Sequence, residues 1–238
     1  MRLALFGHGA MGRLVESLAR AGGDEVGEVF TSRDPAQAPP EIAERLRGHD
    51  VAIDFSVASV VPRNVEAAAR AGVPLVEGTT GWQESMEEVW RLVAEHDGAL
   101  VYGANFSVGV NVFYRVVAHA AGLIARVEGY EPFIEEAHHS RKRDAPSGTA
   151  LKLRELLEER IKNRTIPVAS TRAGHIPGTH RVGFDSAADQ ITLTHTARTR
   201  EGFASGALTT ARWLRGRRGV YEFSQVMDEI LKEVNGEW

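Results

Sequence analysis

Apolar residues fall in short unbroken runs that alternate with longer stretches of helical spacing. Leu3-Ala4-Leu5-Phe6 is continuous and ends at Gly7, the pattern of a strand buried on both faces. From Met11 to Ala21 the apolar positions recur at helical spacing and stop at Gly22-Gly23. The same alternation predicts strands at Val26–Phe30, Val51–Phe55, Val73–Val76 and Ala99–Tyr102. Helices are predicted between them, near Glu41–Arg47, Pro62–Ala71 and Gln83–His96. Strand–helix units in this rhythm predict an α/β fold, a Rossmann-type parallel sheet with helices on both faces.

The rhythm changes after Asn105. Phe133–His138 reads as a strand, and Gly148–Ile161 as a helix whose apolar face is Ala150, Leu151, Leu153, Leu156 and Leu157. Arg181–Phe184 and Gln190–Thr196 read as further strands, the second alternating as a half-buried antiparallel strand does. Helices follow near Ala204–Leu214 and Phe223–Val234, the last amphipathic. This section predicts a second α+β domain with a mixed or antiparallel sheet, covering 108–216 after a first domain at 1–107. Pro39-Pro40 and Gly216–Gly219 read as local breaks.

Composition narrows the class. With 238 residues, 43% hydrophobic, the chain can bury one large core or two modest ones. A net charge of -4 argues against a nucleic-acid partner. The absence of cysteine excludes disulfides, thiolate metal sites and a cysteine nucleophile. No basic-then-apolar leader opens the chain, and no apolar run approaches the roughly 20 residues of a membrane span, so a cytoplasmic, membrane-free enzyme is expected.

Gly7-His8-Gly9-Ala10-Met11-Gly12 fits G-x-G-x-x-G in its required place, after a strand and opening a helix. Gly7 would make the turn, Gly9 admit a pyrophosphate and Gly12 let helix and strand close up. The alternative is a plain strand–turn–helix corner. The second predicted strand ends in Phe30-Thr31-Ser32-Arg33, where NAD enzymes carry an acid for the adenosine ribose. Glu28 lies inside that strand and Asp34 just beyond it. Ser32 and Arg33 suit a 2′-phosphate, so NADPH is expected at least alongside NADH; otherwise Arg33 is an ordinary surface arginine. Gly78-Thr79-Thr80-Gly81 and Ala104-Asn105-Phe106-Ser107 follow strands at their carboxyl ends, where open sheets bind ligands. They would cradle the nicotinamide end, or serve only as turns.

Residues 135–151 place His138, His139, Arg141, Lys142 and Arg143 before a Pro146-Ser147-Gly148-Thr149 turn that opens a helix. Backbone N–H groups at that helix start would hold a carboxylate. Lys142 offers a point charge or a proton, and in an extended stretch the two histidines point to opposite sides. The plainer reading is one packed and one solvated histidine in a basic surface loop.

This segment resembles the signature of the dihydrodipicolinate reductase family, enzymes of the diaminopimelate route to lysine. The similarity extends over nearly the whole chain. It takes in the glycine-rich turn, Asp54-Phe55-Ser56, Gly78 to Gly81, Ala104 to Asn111, Arg172-Ala173-Gly174 and His175 to Gly178. The resemblance implies NAD(P)H-dependent reduction of the cyclic dicarboxylate 4-hydroxy-tetrahydrodipicolinate. His138 and Lys142 would move the proton, while His139, Gly148 and Thr149 would bind the carboxylates. Gly7 to Gly12, Gly78 to Thr80 and Ala104 to Ser107 would contact the cofactor. Thr31 stands where many members carry an acid and Ser32 where an arginine often follows, which shifts the phosphate contact toward Ser32 and Arg33. Arg141 replaces a histidine of some members and is expected to be dispensable. The resemblance further implies a homotetramer, and a tail at 217–238 that packs back on the first domain in a two-domain enzyme with a closing cleft. The other readings of the same residues are a related reductase or amino-acid dehydrogenase acting on another dicarboxylate, or a non-catalytic NADP-binding sensor.

Overall fold

The computed structural model describes residues 1–32 and 37–233, so Arg33 and Asp34 lie outside the described residues. In chain order the elements begin β1 (Arg2–Phe6), α1 (Ala10–Ala21), β2 (Glu25–Phe30), α2 (Pro39–Leu46), β3 (Val51–Asp54) and α3 (Val61–Ala71). Next come β4 (Leu75–Glu77), α4 (Met86–Glu95), β5 (Ala99–Tyr102), α5 (Val108–Ile124), β6 (Glu131–His138) and α6 (Gly148–Arg160). The chain ends with β7 (Val168–Arg172), β8 (Thr179–Asp185), β9 (Gln190–Thr196), α7 (Glu201–Leu214), β10 (Gly219–Glu222) and α8 (Phe223–Glu233). Two compact units result: Met1–Val108 together with the chain from Arg200 onward, and Gly109–Thr199.

The first unit is a six-stranded, wholly parallel sheet in the order β10-β5-β4-β3-β1-β2. Its inner strands, β1, β3, β4 and β5, are largely apolar on both sides because both sides are covered. Leu3 and Leu5 of β1 face a core completed by Val15 and Ala19 of α1, Ala207 and Leu208 of α7, and Val226 and Met227 of α8. Ala4 and Phe6 face the opposite core, with Ile42, Val65 and Val89 from α2, α3 and α4. Strand alternation thus sends each residue of one run into one of two cores. Two details differ from the sequence expectation. Pro39 and Pro40 are the first helical positions of α2, where a missing N–H costs nothing, rather than a break. α7 belongs to the first unit, not the second: Gly206 brings it against the backbone of Phe106, and Gly202 lies beside Ser107. The second unit therefore ends at Thr199 rather than at 216.

The second unit is a four-stranded mixed sheet in the order β7-β6-β8-β9, with β7 parallel to β6 and the other pairs antiparallel. Ile134, Val182 and Phe184 pack with Phe113 and Val117 of α5 and with Leu153 and Leu157 of α6. β9 remains largely exposed, Ile191 included. α5, β7 and β10 are elements that the sequence patterns do not announce. Among the described residues no helix is long and apolar enough to cross a membrane.

Candidate active site

In the first unit the glycine-rich turn has the geometry its spacing requires. Gly7 has φ 87°, and a Cβ there would sit 2.4 Å from the Phe55 carbonyl oxygen. A Cβ on Gly12 would sit 2.0 Å from the Gly7 oxygen, so α1 can approach β1 only with glycine at that place. Gly9, the N-cap of α1, has open space where a Cβ would be, and no side chain caps the helix. Its first N–H groups are left for an anion. The turn borders a cavity of about 730 Å³, lined also by Thr31, Ser32, Arg13, Phe55, Arg63 and Asn64 among others. The His8 ring lies 2.7 Å from Glu16, and the His8 carbonyl accepts from Arg13. Glu28 is engaged by Arg45 at 2.5 Å, and Arg45 also covers the Phe30 ring. That leaves no carboxylate among the described residues at the end of β2 to receive a ribose.

Behind this cavity stand two fully buried acids in register on neighbouring strands, Asp54 and Glu77. Asp54 accepts from the Ser56 N–H (2.7 Å), Asn64 (2.7 Å) and the Thr79 hydroxyl (3.2 Å). Glu77 accepts from the Thr79 N–H at 2.6 Å, and Trp82 donates to the Thr79 carbonyl. The acid pair therefore fixes the Gly78-Thr79-Thr80 turn. Burial raises the Asp54 pKa against its hydrogen bonds from Asn64 and Ser56. Burial, and then the Asp54 charge, raise Glu77 well above the carboxylate range. Glu77 Oε2 has no amide or hydroxyl partner, so a proton on Glu77, donated to Asp54, reconciles the two carboxyls.

The second unit builds its cluster from the alternation of β6. Glu136 and His138 are two apart, face the same way and are both buried. Register places Ser170 and Arg172 of β7 beside them on one edge and His180 of β8 opposite Glu136 on the other. Glu136 Oε1 accepts from Arg172 (2.6 Å), the Ser170 hydroxyl (2.7 Å) and the Ser147 N–H (3.0 Å). Burial alone would raise this acid, but hydrogen bonds from Ser147, Arg172 and Ser170 outweigh it and hold the pKa at about 2. Glu136 Oε2 lies 3.5 Å from His138 Nδ1 and 3.6 Å from His180 Nε2. Burial lowers the His138 pKa in spite of the Glu136 charge, and burial and then His138 lower His180 to about 4. Both imidazoles are therefore neutral at pH 7.

Around this cluster sit the other residues of the basic segment. Arg172 also donates to the Asp144 carbonyl (2.6 Å), tying down the loop that carries Lys142. Lys142 is partly exposed and pairs with Asp144 at 2.9 Å. His139 is half-buried while Arg141 and Arg143 are exposed. Ser147 caps α6, accepting from the Ala150 N–H, and its hydroxyl lies 3.0 Å from His180 Nε2. Gly148, exposed, and Thr149, hydrogen-bonded to Tyr114, form the first turn of that helix.

The structure thus brings His138, His139, Lys142, Gly148 and Thr149 into one stretch at the end of β6 and the start of α6. It brings Gly7, His8, Gly9, Thr31 and Ser32 to one cavity, with Ala10, Met11 and Gly12 opening α1 beside it. Thr79 is reached through Ser56, to whose N–H its hydroxyl bonds, whereas Gly78 and Thr80 do not line that cavity. The Phe106 ring is core, packed against Phe223 with centroids 4.6 Å apart, so only its backbone is open to a cofactor. Ala104, Asn105 and Ser107 flank it without lining the cavity. Glu136, Arg172 and His180 carry no role in the sequence reading. Alternation along β6 does put Glu136 on the His138 side, but only register reveals the other two.

Comparison with known proteins gives one consistent result. The family model described as dihydrodipicolinate reductase, N-terminus, matches residues 1–106, and the one described as dihydrodipicolinate reductase, C-terminus, matches 109–227. The chain is 35% identical over 243 residues to the 4-hydroxy-tetrahydrodipicolinate reductase of Christiangramia forsetii, covering 98% of this chain and all of that one. It is 36% identical over 266 residues to the enzyme of the same name from Archaeoglobus fulgidus, with 98% and 100% covered. In fold it is similar to the dipicolinate-bound dihydrodipicolinate reductase of Paenisporosarcina sp. TG-14. That likeness has a TM-score of 0.78 at 20% identity, over 93% of this chain and 97% of the other.

Proposed function

Because the chain belongs to the dihydrodipicolinate reductase family, we propose a reading in which each cluster has one task within a single reaction. The protein is an NAD(P)H-dependent oxidoreductase that reduces 4-hydroxy-tetrahydrodipicolinate in the diaminopimelate route to lysine. The observation that carries this reading is the complete His138–Lys142–Gly148–Thr149 set on a chain that also has the Gly7–Gly12 turn.

The first unit fits a dinucleotide: Gly9 is open, Gly12 allows no side chain, and the uncapped start of α1 faces the cavity. Gly7 to Gly12 would hold the pyrophosphate, Thr31, Ser32 and Arg33 the adenosine ribose, and Gly78 to Thr80 with Ala104 to Ser107 the nicotinamide end. When bound, the reduced nicotinamide supplies a hydride to the substrate ring. Ser32 and the absence of a free acid at the end of β2 among the described residues favour NADPH as a full alternative to NADH.

His139, Lys142 and the N–H groups of Gly148 and Thr149 would neutralise the two substrate carboxylates, fixed charges set where charge must be met. The 4-hydroxyl first leaves as water, which conjugates the ring; as C4 then takes up hydride, negative charge builds toward the ring nitrogen and the adjacent carbon. Lys142 and His138 then carry the proton transfer. The exposed β9 would join copies into a homotetramer, and the enzyme would work in the cytoplasm, where reduced nucleotide is available.

The test is loss of NADPH absorbance on addition of the product of dihydrodipicolinate synthase. Wild-type turnover is expected, with Lys142→Ala and His138→Ala each lowering kcat about a hundredfold or more while the Kd for NADPH stays put. No turnover, or near-wild-type kcat in both variants, would overturn the assignment. A light-scattering mass tests the tetramer.

A further inference from the structure

A buried carboxylate oxygen and two buried imidazoles converge without hydrogen bonds between them. We propose that Glu136, His138 and His180 form a binding site for a borderline transition-metal cation, zinc above all, whose occupancy inhibits the enzyme. One donor atom from each residue lies within 4.8 Å of the other two. Glu136 Oε2 is 3.5 Å from His138 Nδ1 and 3.6 Å from His180 Nε2. Tetrahedral zinc with bonds of about 2.0–2.1 Å holds neighbouring ligand atoms roughly 3.3–3.4 Å apart. The two spacings to Glu136 therefore need to shorten by only a few tenths of an ångström, and the imidazole pair, within 4.8 Å, closes by rotation of the rings.

The state of these atoms points the same way. Glu136 and His138 are 3% and 8% exposed, yet Glu136 Oε2 and His138 Nδ1 have no hydrogen-bond partner. Buried polar atoms in folded proteins are nearly always satisfied, so two orphans facing each other call for a third party. Glu136 is already oriented through its other oxygen by Arg172, Ser170 and the Ser147 N–H, the outer support that ligating carboxylates have. His180 Nε2 would exchange the Ser147 hydroxyl for the ion. Two neutral imidazoles and one carboxylate select zinc, cobalt, nickel or copper over magnesium and calcium. Three protein ligands leave the fourth position to water. The Arg172 charge weakens the site, making the ion a reversible ligand rather than a resident one. Inhibition follows from occupation of His138 and rests on the reductase reading above; binding itself does not.

Untagged protein, dialysed against zinc chloride without chelator, is expected to bind one zinc per chain. Cobalt chloride should give the visible absorption of a four-coordinate site, abolished by excess zinc. His180→Asn and Glu136→Gln should each weaken binding at least about tenfold, with circular dichroism reporting that the fold is kept. The wild-type protein gives a second readout that needs no variant. With 15N-labelled histidine, zinc should shift the imidazole nitrogens of two of the nine histidines, His138 and His180. No stoichiometric binding, undiminished binding in both variants, or shifts confined to other histidines would overturn the proposal. Zinc should slow NADPH oxidation, and magnesium should not. A chain that binds zinc in this way but turns over no substrate would sink the reductase reading and leave the metal site. Turnover without zinc binding would do the reverse.

Discussion

The buried acid pair Asp54–Glu77 makes the stability of the first unit fall as pH rises above the ordinary carboxyl range. Glu77 keeps its proton in the folded state, because burial and the Asp54 charge raise its pKa well above the ordinary value of 4.5. Below that value folded and unfolded chains both hold the proton, and the group has no effect on stability. Above it the unfolded chain releases the proton and the folded chain does not. Unfolding is then favoured by one proton's worth, about 1.4 kcal/mol per pH unit, until the folded group itself titrates. Glu77→Gln removes this dependence while keeping the contacts. The amide oxygen can accept from the Thr79 N–H, and the amide nitrogen can donate to Asp54 as the protonated acid does. Asp54 is present in both proteins, so its own contribution largely cancels in the difference. The assay is urea unfolding at several values between pH 5 and pH 8, followed by tryptophan fluorescence. All four tryptophans lie outside 109–199, so the signal reports the first unit alone. The variant should gain on the wild type as pH rises from 5, with a slope that approaches about 1.4 kcal/mol per unit for as long as the folded Glu77 holds its proton, and with equal denaturant slopes. A stability difference that stays constant from pH 5 to pH 8 would show that Glu77 is ionised in the folded protein, and the reasoning would fail.

Two further outcomes follow from single contacts. Gly12→Ala puts a methyl group 2.0 Å from the Gly7 carbonyl oxygen, so α1 must retreat from β1 and carry its N-terminus away from the place proposed for the pyrophosphate. The Kd for NADPH, measured by fluorescence titration, should rise at least about tenfold, or 1.4 kcal/mol; an unchanged Kd would exclude phosphate binding at this turn. Glu136→Leu strands Arg172 without its buried partner, a loss of about 3–5 kcal/mol in urea unfolding followed by circular dichroism. A loss under about 1 kcal/mol would mean that Arg172 turns to solvent at no cost.

How much of this was legible in the sequence depended on whether the signal was local. The parallel strands were readable because unbroken apolar runs such as Leu3–Phe6 occur where both faces are covered. The glycine turn was readable because its function lies in its spacing. α5 was not: Val110, Phe113, Val117 and Ala121 have helical spacing, but Val112 and Val116 are apolar and exposed between them, which blurs the stripe. β7, Val-Ala-Ser-Thr-Arg, and β10, four residues after a run of arginines, are too short and polar to stand out. α7 follows the last strand of the second unit in sequence but packs on the first, so its place in the chain does not reveal its unit. In the site, His138 and Lys142 stood out by residue type. Arg172 and His180 did not, since their partnership with Glu136 is set by the registers β6–β7 and β6–β8. No local pattern encodes register between strands some 40 residues apart.

The first unit is written in two pieces, and this has a consequence for how the protein is made. β10 seats against β5 with Gly219 beside Ala99, and α7 and α8 supply most of the helical cover of one sheet face. A ribosome that has delivered the first piece, Met1–Val108, has delivered every strand of the sheet but one and the helices of only one side in full. Leu3, Leu5, Ile53 and Val101 must then stay partly bare while ninety-one further residues, Gly109–Thr199, are synthesised. At about 5–20 residues per second that interval lasts several seconds, long beside hydrophobic collapse. Gly109–Thr199 meets no such wait, since its whole core is encoded without interruption. The order of completion is therefore the reverse of the order of synthesis: the nucleotide unit is begun first and closed last.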